Sequence, residues 1–249
     1  MAADVVEILL RHCVLALGLR RGERCLDLGS GRGRMARELA RAGARVVAAD
    51  ANSEALGVVG SEAKGTPHGA HAGGDPAPPW PASVARVAAR AADLPFAARS
   101  FRTVACSYAF HHIHDLDSAF GEVGRVLAPG GRLAIIDGVA FGGDKVVSFL
   151  HRAFDIRDGG THVRFVTLPR WRALMQLARL HLVRVEARSV THDLELWSRR
   201  ANQPEPPLDA IRAHFEAAAP VVRSALRMVP AAGLPVKFTT IEAVLIGVR

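Results

Sequence analysis

The chain predicts an open α/β sheet, doubly wound, with helices on both faces. Three observations carry this expectation. Short apolar strand-like segments alternate with helical segments through the first 140 residues. Small polar or acidic residues recur at the strand ends, at Asp27, Asp50, Asp93, Ser107 and Asp137. A glycine-rich loop, Gly29-Ser-Gly31-Arg-Gly33, joins the first strand to a helix. Strands separated by helices pair in parallel through right-handed crossovers. Such sheets bind ligands beyond the carboxyl ends of their strands, near the point where strand order reverses. Five polar groups converging on one edge therefore predict a cleft there.

Each element follows from local pattern. Residues 2–17 read as an amphipathic helix and 24–28 as a buried strand. Residues 34–42 form a helix with Met35 and Leu39 inward, ended by Gly43. Residues 44–49 are a second strand closed by Asp50, and Asn52 or Ser53 caps a helix through Val59. Residues 60–83 are rich in Gly and Pro without apolar period and predict a surface insertion. Strands resume at 84–92 and 101–108. Leu116, Phe120, Val123 and Leu127 share one helix face, which stops at Pro129-Gly130-Gly131 before a strand at 132–137. Beyond it, 145–155, 169–180 and 208–219 look helical, and 181–190 and 238–248 look like strands. The expected organisation is one domain over residues 1–249. Its core is about 20–140, with cap elements at about 140–166 and 191–235.

Composition narrows the class. Nearly half of the residues are hydrophobic, which suits a packed domain of this length. No apolar run reaches the ~18 residues of a membrane span. Residues 1–18 carry Asp4, Glu7, Arg11 and His12, unlike a signal peptide. The three cysteines, Cys13, Cys25 and Cys106, read as buried free thiols of a cytoplasmic protein. The net charge of +8 is nearly all arginine, since lysine occurs only at 64, 145 and 237, and it is scattered rather than blocked. A compositional bias explains it better than a polyanion site.

The glycine loop suggests a ligand lying against backbone. Its Gly-x-Gly-x-Gly spacing departs from the G-x-G-x-x-G of dinucleotide sites. Asp27, just before it, would repel a pyrophosphate but suits an ammonium group. Asp50 lies roughly 20 residues on, where an acid accepts hydrogen bonds from ribose hydroxyls. Asp93 is placed to accept from an adenine amino group, with Leu94 against the ring. Each acid also has a bland reading, as turn or cap.

Taken together, Cys-Leu-Asp27-Leu-Gly29-Ser-Gly31-Arg-Gly33, Val-Ala-Ala-Asp50, Ala-Asp93-Leu-Pro-Phe96, Ser107-Tyr-Ala-Phe-His111-His112-Ile-His-Asp115 and Leu127-Ala-Pro-Gly-Gly131 resemble the successive motifs of class I S-adenosylmethionine-dependent methyltransferases. The similarity is closest to the branch with the ubiquinone and menaquinone methyltransferases, over about residues 20–140. Gly160-Thr-His162-Val-Arg164-Phe and Asp193-Leu-Glu-Leu-Trp197-Ser-Arg-Arg200 extend it more weakly. The resemblance implies a Rossmann-like sheet, mostly parallel with an antiparallel C-terminal edge strand. It implies S-adenosyl-L-methionine as cofactor and S-adenosyl-L-homocysteine as product. Asp27, Gly29, Ser30, Gly31 and Gly33 would hold the methionine part, Asp50 and Ala51 the ribose, Asp93 and Leu94 the adenine. Ser107 and Tyr108 would border the sulfonium. Two departures stand out. The chain has Ser100-Phe101-Arg102 where the branch commonly has Ser-Phe-Asp, read as a surface change, and the 60–83 insertion is longer than usual.

The acceptor side is less legible. His111, His112 and His114 cluster after the fourth strand, and a histidine base suits chemistry near neutrality. A structural role in the turn, with His114 and Asp115 near a helix cap, competes equally for His111 and His112. No Cys, His and acid set shows convincing metal spacing, so no metal site is expected. The alternation His162-Val-Arg164-Phe would put both polar groups on one side, where Arg164 can pair with an acidic acceptor. Trp171 is expected in the core; Trp197 and Phe165 are candidate pocket walls. The function expected is methyl transfer to an O, N or C atom of a small-molecule acceptor. Nucleic acid is not the expected partner, and a homodimer is compatible. The alternatives are an RNA or other nucleic-acid methyltransferase, a nicotinamide-dependent dehydrogenase, and a cofactor-binding cyclase or scaffold without methyl transfer.

Overall fold

A computed structural model of the chain describes residues 5–57, 79–199, 207–231 and 234–249. The expected 60–83 insertion lies outside these residues as far as 78, as does Arg200. After helix α1 (Val5–Leu17) come β1 (Arg24–Leu28), α2 (Arg34–Arg41), β2 (Arg45–Asp50), β3 (Val84–Ala88) and β4 (Phe101–Ser107). A short 3-10 turn (Phe110–His112) leads to α3 (Leu116–Val126) and β5 (Leu127–Gly138). The remaining elements are α4 (Asp144–Arg157), α5 (Leu168–Leu177), β6 (His181–Asp193), α6 (Leu194–Ser198), α7 (Leu208–Glu216), α8 (Pro220–Ala225), β7 (Val229–Ala231) and β8 (Leu234–Val248).

The strands form one sheet in the order β3-β2-β1-β4-β5-β8-β6, with β7 paired to β8. The first five are parallel. The C-terminal strand β8 is antiparallel to both its neighbours. It sits one place in from the edge, between β5 and β6, because β6 takes the outer position. Strand order reverses at β1, which has β2 on one side and β4 on the other, so the loop after β1 lies at the switch point.

Apolar side chains cover both faces. Leu116, Phe120 and Val123 of α3 pack with Trp171, Leu174 and Met175 of α5 on one face. Leu9, Leu10, Cys13 and Leu17 of α1 pack with Met35 and Leu39 of α2 on the other. Truncating Phe120 or Trp171 to alanine would cost about 3–5 kcal/mol. Residues of α4, α6, α7 and α8 close a third cluster around Trp197, Phe215 and Phe238. Side chains cap the starts of α3 and α5. Asp115 accepts from Ser118 N–H, confirming its cap role, and Thr167 accepts from Arg170 N–H. Arg102 is exposed and donates to the Pro129 carbonyl, the surface position expected of it. Among the described residues no helix is long and apolar enough to cross a membrane.

Two local expectations are corrected. No helix forms after β2 within residues 53–57. Asn52 Oδ1 accepts from Glu54 and Ala55 N–H, but the chain makes a turn ending at Gly57, whose φ is +62°. Residues 58 and 59 lie outside the described residues. Helix α3 ends at Val126 rather than at the Pro-Gly-Gly, because Leu127 is already extended and pairs with Phe101 of β4.

Candidate functional site

The carboxyl ends of β1, β2, β4 and β5 adjoin one another. Asp27 in β1 stands level with Ala48 of β2 and Ala105 of β4. It is fully buried, and neither carboxyl oxygen has a hydrogen-bond partner. Burial pushes the Asp27 carboxyl up to about 8. The Ala36 backbone N–H, outside hydrogen-bonding geometry, opposes that rise, and the charge of Asp50 adds to it. The Ser30 hydroxyl, also buried, is likewise without a partner. Unmet buried polar groups of this kind cost about 1–3 kcal/mol each, so the floor of the loop offers polar groups that a polar ligand could satisfy.

The loop above is fixed from two sides. Asp50 accepts from Gly31 N–H at 2.7 Å and from Asn52 N–H at 2.8 Å. Gly29 has φ +67°, and a Cβ there would lie 2.3 Å from the Cβ of Ala109. Gly33 has φ +78°, and a Cβ there would lie 2.3 Å from the Trp80 ring. Trp80 also takes the guanidinium of Arg37 over its ring at 5.4 Å. Sequence pattern gave no sign of Trp80, which stands where the Pro- and Gly-rich stretch ends.

The next two predicted groups differ from each other. Asp93 is exposed, while Leu94 is buried with Leu28, Ala49 and Ala89. Leu94 N–H donates to Glu122 at 2.8 Å and its carbonyl accepts from Arg125 at 2.9 Å, which pins this segment to α3. Ala51 and Ser107 are half-buried at the ends of β2 and β4. Tyr108, at φ +53°, is one of few non-glycine residues in the left-handed region, a strained conformation met at sites that hold ligands. Its hydroxyl donates to Glu242 of β8 at 2.5 Å. Burial and the Glu242 charge hold the phenol well above its ordinary value.

Beside this lies a group of histidines. His111 is buried and its Nδ1 lies 2.6 Å from Asp137 Oδ1, at the end of β5. His112 Nδ1 lies 3.0 Å from the Thr161 carbonyl. A carbonyl cannot donate, so Nδ1 of His112 carries the proton and Nε2 the lone pair. A carboxylate oxygen accepts, so Nδ1 of His111 likewise carries a proton towards Asp137. The rings are 4.1 Å apart. Burial, and then the charge of His111, push His112 down to about 3, so it is neutral.

His162 joins them from the loop after α4. The His111 carbonyl draws that loop in by accepting from Val163 N–H at 2.9 Å. The His162 ring is 5.2 Å from His111 and 4.7 Å from Phe165, and both its nitrogens are buried without a partner. The expected alternation of 162 and 164 fails here. The segment is a loop, not a strand, so His162 is buried whereas Arg164 is exposed and donates to the His114 carbonyl. Trp171 is in the core, as expected, and Trp197 packs in the third cluster. Sequence reasoning missed Asp158. It caps α4, is buried, and takes a forked pair of hydrogen bonds from Arg157 at 2.7 and 2.8 Å. Burial alone would raise its carboxyl; Arg157, with His112 and His111, holds it below the ordinary value.

Comparison with known proteins agrees with this geometry. Residues 26–135 match a family model described as a methyltransferase domain. A demethylmenaquinone methyltransferase of Thermobifida fusca is 38% identical over 124 residues, which is 50% of this chain and 47% of that protein. The uncharacterized protein YafE of Escherichia coli is 34% identical over 134 residues, 54% of this chain and 64% of YafE. The chain thus spans about half to under two thirds of these relatives. The crystal structure of YcgJ from Bacillus subtilis superposes with a TM-score of 0.79 at 25% identity, covering 96% of this chain and 97% of that one. With its sheet order, its glycine loop and these likenesses, the chain is similar to the class I S-adenosylmethionine-dependent methyltransferases, the demethylmenaquinone methyltransferases among them, and the likeness to a methyltransferase domain lies in residues 26–135.

Proposed function

We propose that this chain moves a methyl group from S-adenosyl-L-methionine to an oxygen, nitrogen or carbon atom of a small-molecule metabolite. The observation that carries the reading is the buried, unpartnered Asp27 carboxyl group beneath a loop whose backbone is tied to Asp50. A ligand ammonium would satisfy Asp27, and the remaining lone pairs of Asp50 can accept from ribose hydroxyls. Asp93 and the Leu94 segment would face the adenine, and Ser107 and Tyr108 the sulfonium. The cofactor supplies an already activated methyl, so the protein's work is to align the acceptor and exclude water.

On the acceptor side stand His111 and His112, whose Nε2 lone pairs are the candidate proton acceptors. His162 and Phe165 would wall the pocket, with residues 140–166 and 191–235 as its cap. Titration calorimetry tests the donor side: S-adenosylmethionine should bind and NADH should not, and the reverse would sink the reading. Incubation with labelled S-adenosylmethionine and a metabolite extract, followed by mass spectrometry, should yield one labelled small molecule. Label appearing in RNA alone would favour the nucleic-acid alternative.

A further inference from the structure

We propose that His111, His112 and Asp158 form a binding site for one divalent first-row transition-metal ion. Each brings a ligating atom to within 4.8 Å of the other two. Two imidazoles and one carboxylate are a ligand set that such ions take in preference to calcium or magnesium. An ion with bonds of roughly 2.0–2.2 Å wants its ligands about 3–4 Å apart, so small side-chain rotations close the set.

Proximity alone would be weak support. Three further features point the same way. Both imidazoles have Nδ1 held from behind, His111 by the Asp137 carboxylate and His112 by the Thr161 carbonyl. A carboxylate or carbonyl on the far nitrogen is what orients metal-binding histidines and raises their basicity. It leaves both Nε2 lone pairs free to ligate. His162, buried with both nitrogens unpartnered and 5.2 Å from His111, is positioned to complete the shell by turning its ring. The charges also allow an ion. Asp137 and Asp158 are two carboxylates against one guanidinium, Arg157, which pairs with Asp158. That leaves a net negative cluster walled by Phe154 and Phe165, beside His162. A dication with one anionic ligand, such as hydroxide or a deprotonated acceptor, would suit it.

The ion would occupy the same Nε2 lone pairs that the proposed function offers as proton acceptors. It bears on the acceptor side of that reading, while its binding is independent of methyl transfer. The test is therefore a binding measurement. Full-length protein is stripped with chelator and titrated with Zn²⁺ by calorimetry and with Co²⁺ by visible absorption. The expected result is one ion per chain, with cobalt ligand-field bands in the visible. His112→Ala and Asp158→Asn should each weaken Zn²⁺ at least tenfold, while His214→Ala, on α7, leaves it unchanged. Thermal melts of each variant identify any that fail to fold. Wild-type protein that takes up no stoichiometric Zn²⁺ or Co²⁺ overturns the proposal, whatever the variants do. So does binding unaffected by both folded variants. Metal binding without S-adenosylmethionine binding would defeat the methyltransferase reading and leave the ion site standing.

Discussion

The carboxylate of Asp50 accepts the backbone N–H of Gly31 at 2.7 Å, so the acid that ends β2 fixes the turn that follows β1. One side chain thereby shapes the loop, and under the proposed function it also receives the ribose. Asp50→Ala should weaken S-adenosylmethionine at least tenfold by calorimetry. Unchanged affinity would remove Asp50 from the donor site.

If Asp27 holds the ligand ammonium as proposed, binding should depend on pH. Its carboxyl is raised to about 8 in the fold, against roughly 3.9 unfolded. The folded state thus holds the proton where the unfolded state has lost it. Its contribution to stability is complete below about pH 4 and lost as pH rises towards 8, with a slope of at most ~1.4 kcal/mol per unit. Thermal melts of ligand-free protein should show Asp27→Asn gaining on the wild type from pH 5 to 8. An ammonium ligand needs the ionised form, so wild-type affinity should rise between pH 6 and 8, approaching tenfold per unit. A flat profile in both measurements would contradict a buried neutral Asp27.

Gly29 tests the tightness of the loop. Gly29→Ala would place a Cβ against Ala109 at a φ that side chains rarely adopt. A destabilisation of about 1–3 kcal/mol is expected in chemical denaturation. A variant as stable as wild type would mean that the loop gives way easily.

His112→Ala should lower turnover by about 100-fold while changing S-adenosylmethionine affinity less than threefold. This holds whether His112 takes a proton or holds an ion. Equal activity would return it to a purely structural role in the turn.

The thiols should be silent in the native protein. Cys13 and Cys25 are pushed up to about 12, and Cys106 well above its ordinary value, in each case chiefly by burial. A thiol-reactive dye at pH 8 should label none of them within minutes, and all three after unfolding. Rapid native labelling would expose a reactive site.

What the residues declare by themselves is local. The buried run Cys25–Leu28, the glycines at 29, 31 and 33, the Asp115 cap and the helical face of Leu116, Phe120 and Val123 rest on periodicity and turn chemistry within short windows. The parallel pairing of β1 with β2 and of β4 with β5 follows from the helices α2 and α3 between them, whereas no described helix separates β2, β3 and β4. Tertiary structure decided the rest. Trp80 reaches Gly33 because β3 delivers it beside β2. The strand β8 lies inside the edge because β6 pairs with it from Lys237 to Val248. His111 and His112 meet Asp158 and His162 because the loop after α4 hydrogen-bonds the His111 carbonyl. No spacing along the chain records that meeting, since its members lie 46 or more residues apart in some pairs and adjacent in another. That grouping was therefore unreadable in sequence, while the glycine loop, whose contacts are mostly backbone and near neighbours, was legible from the start.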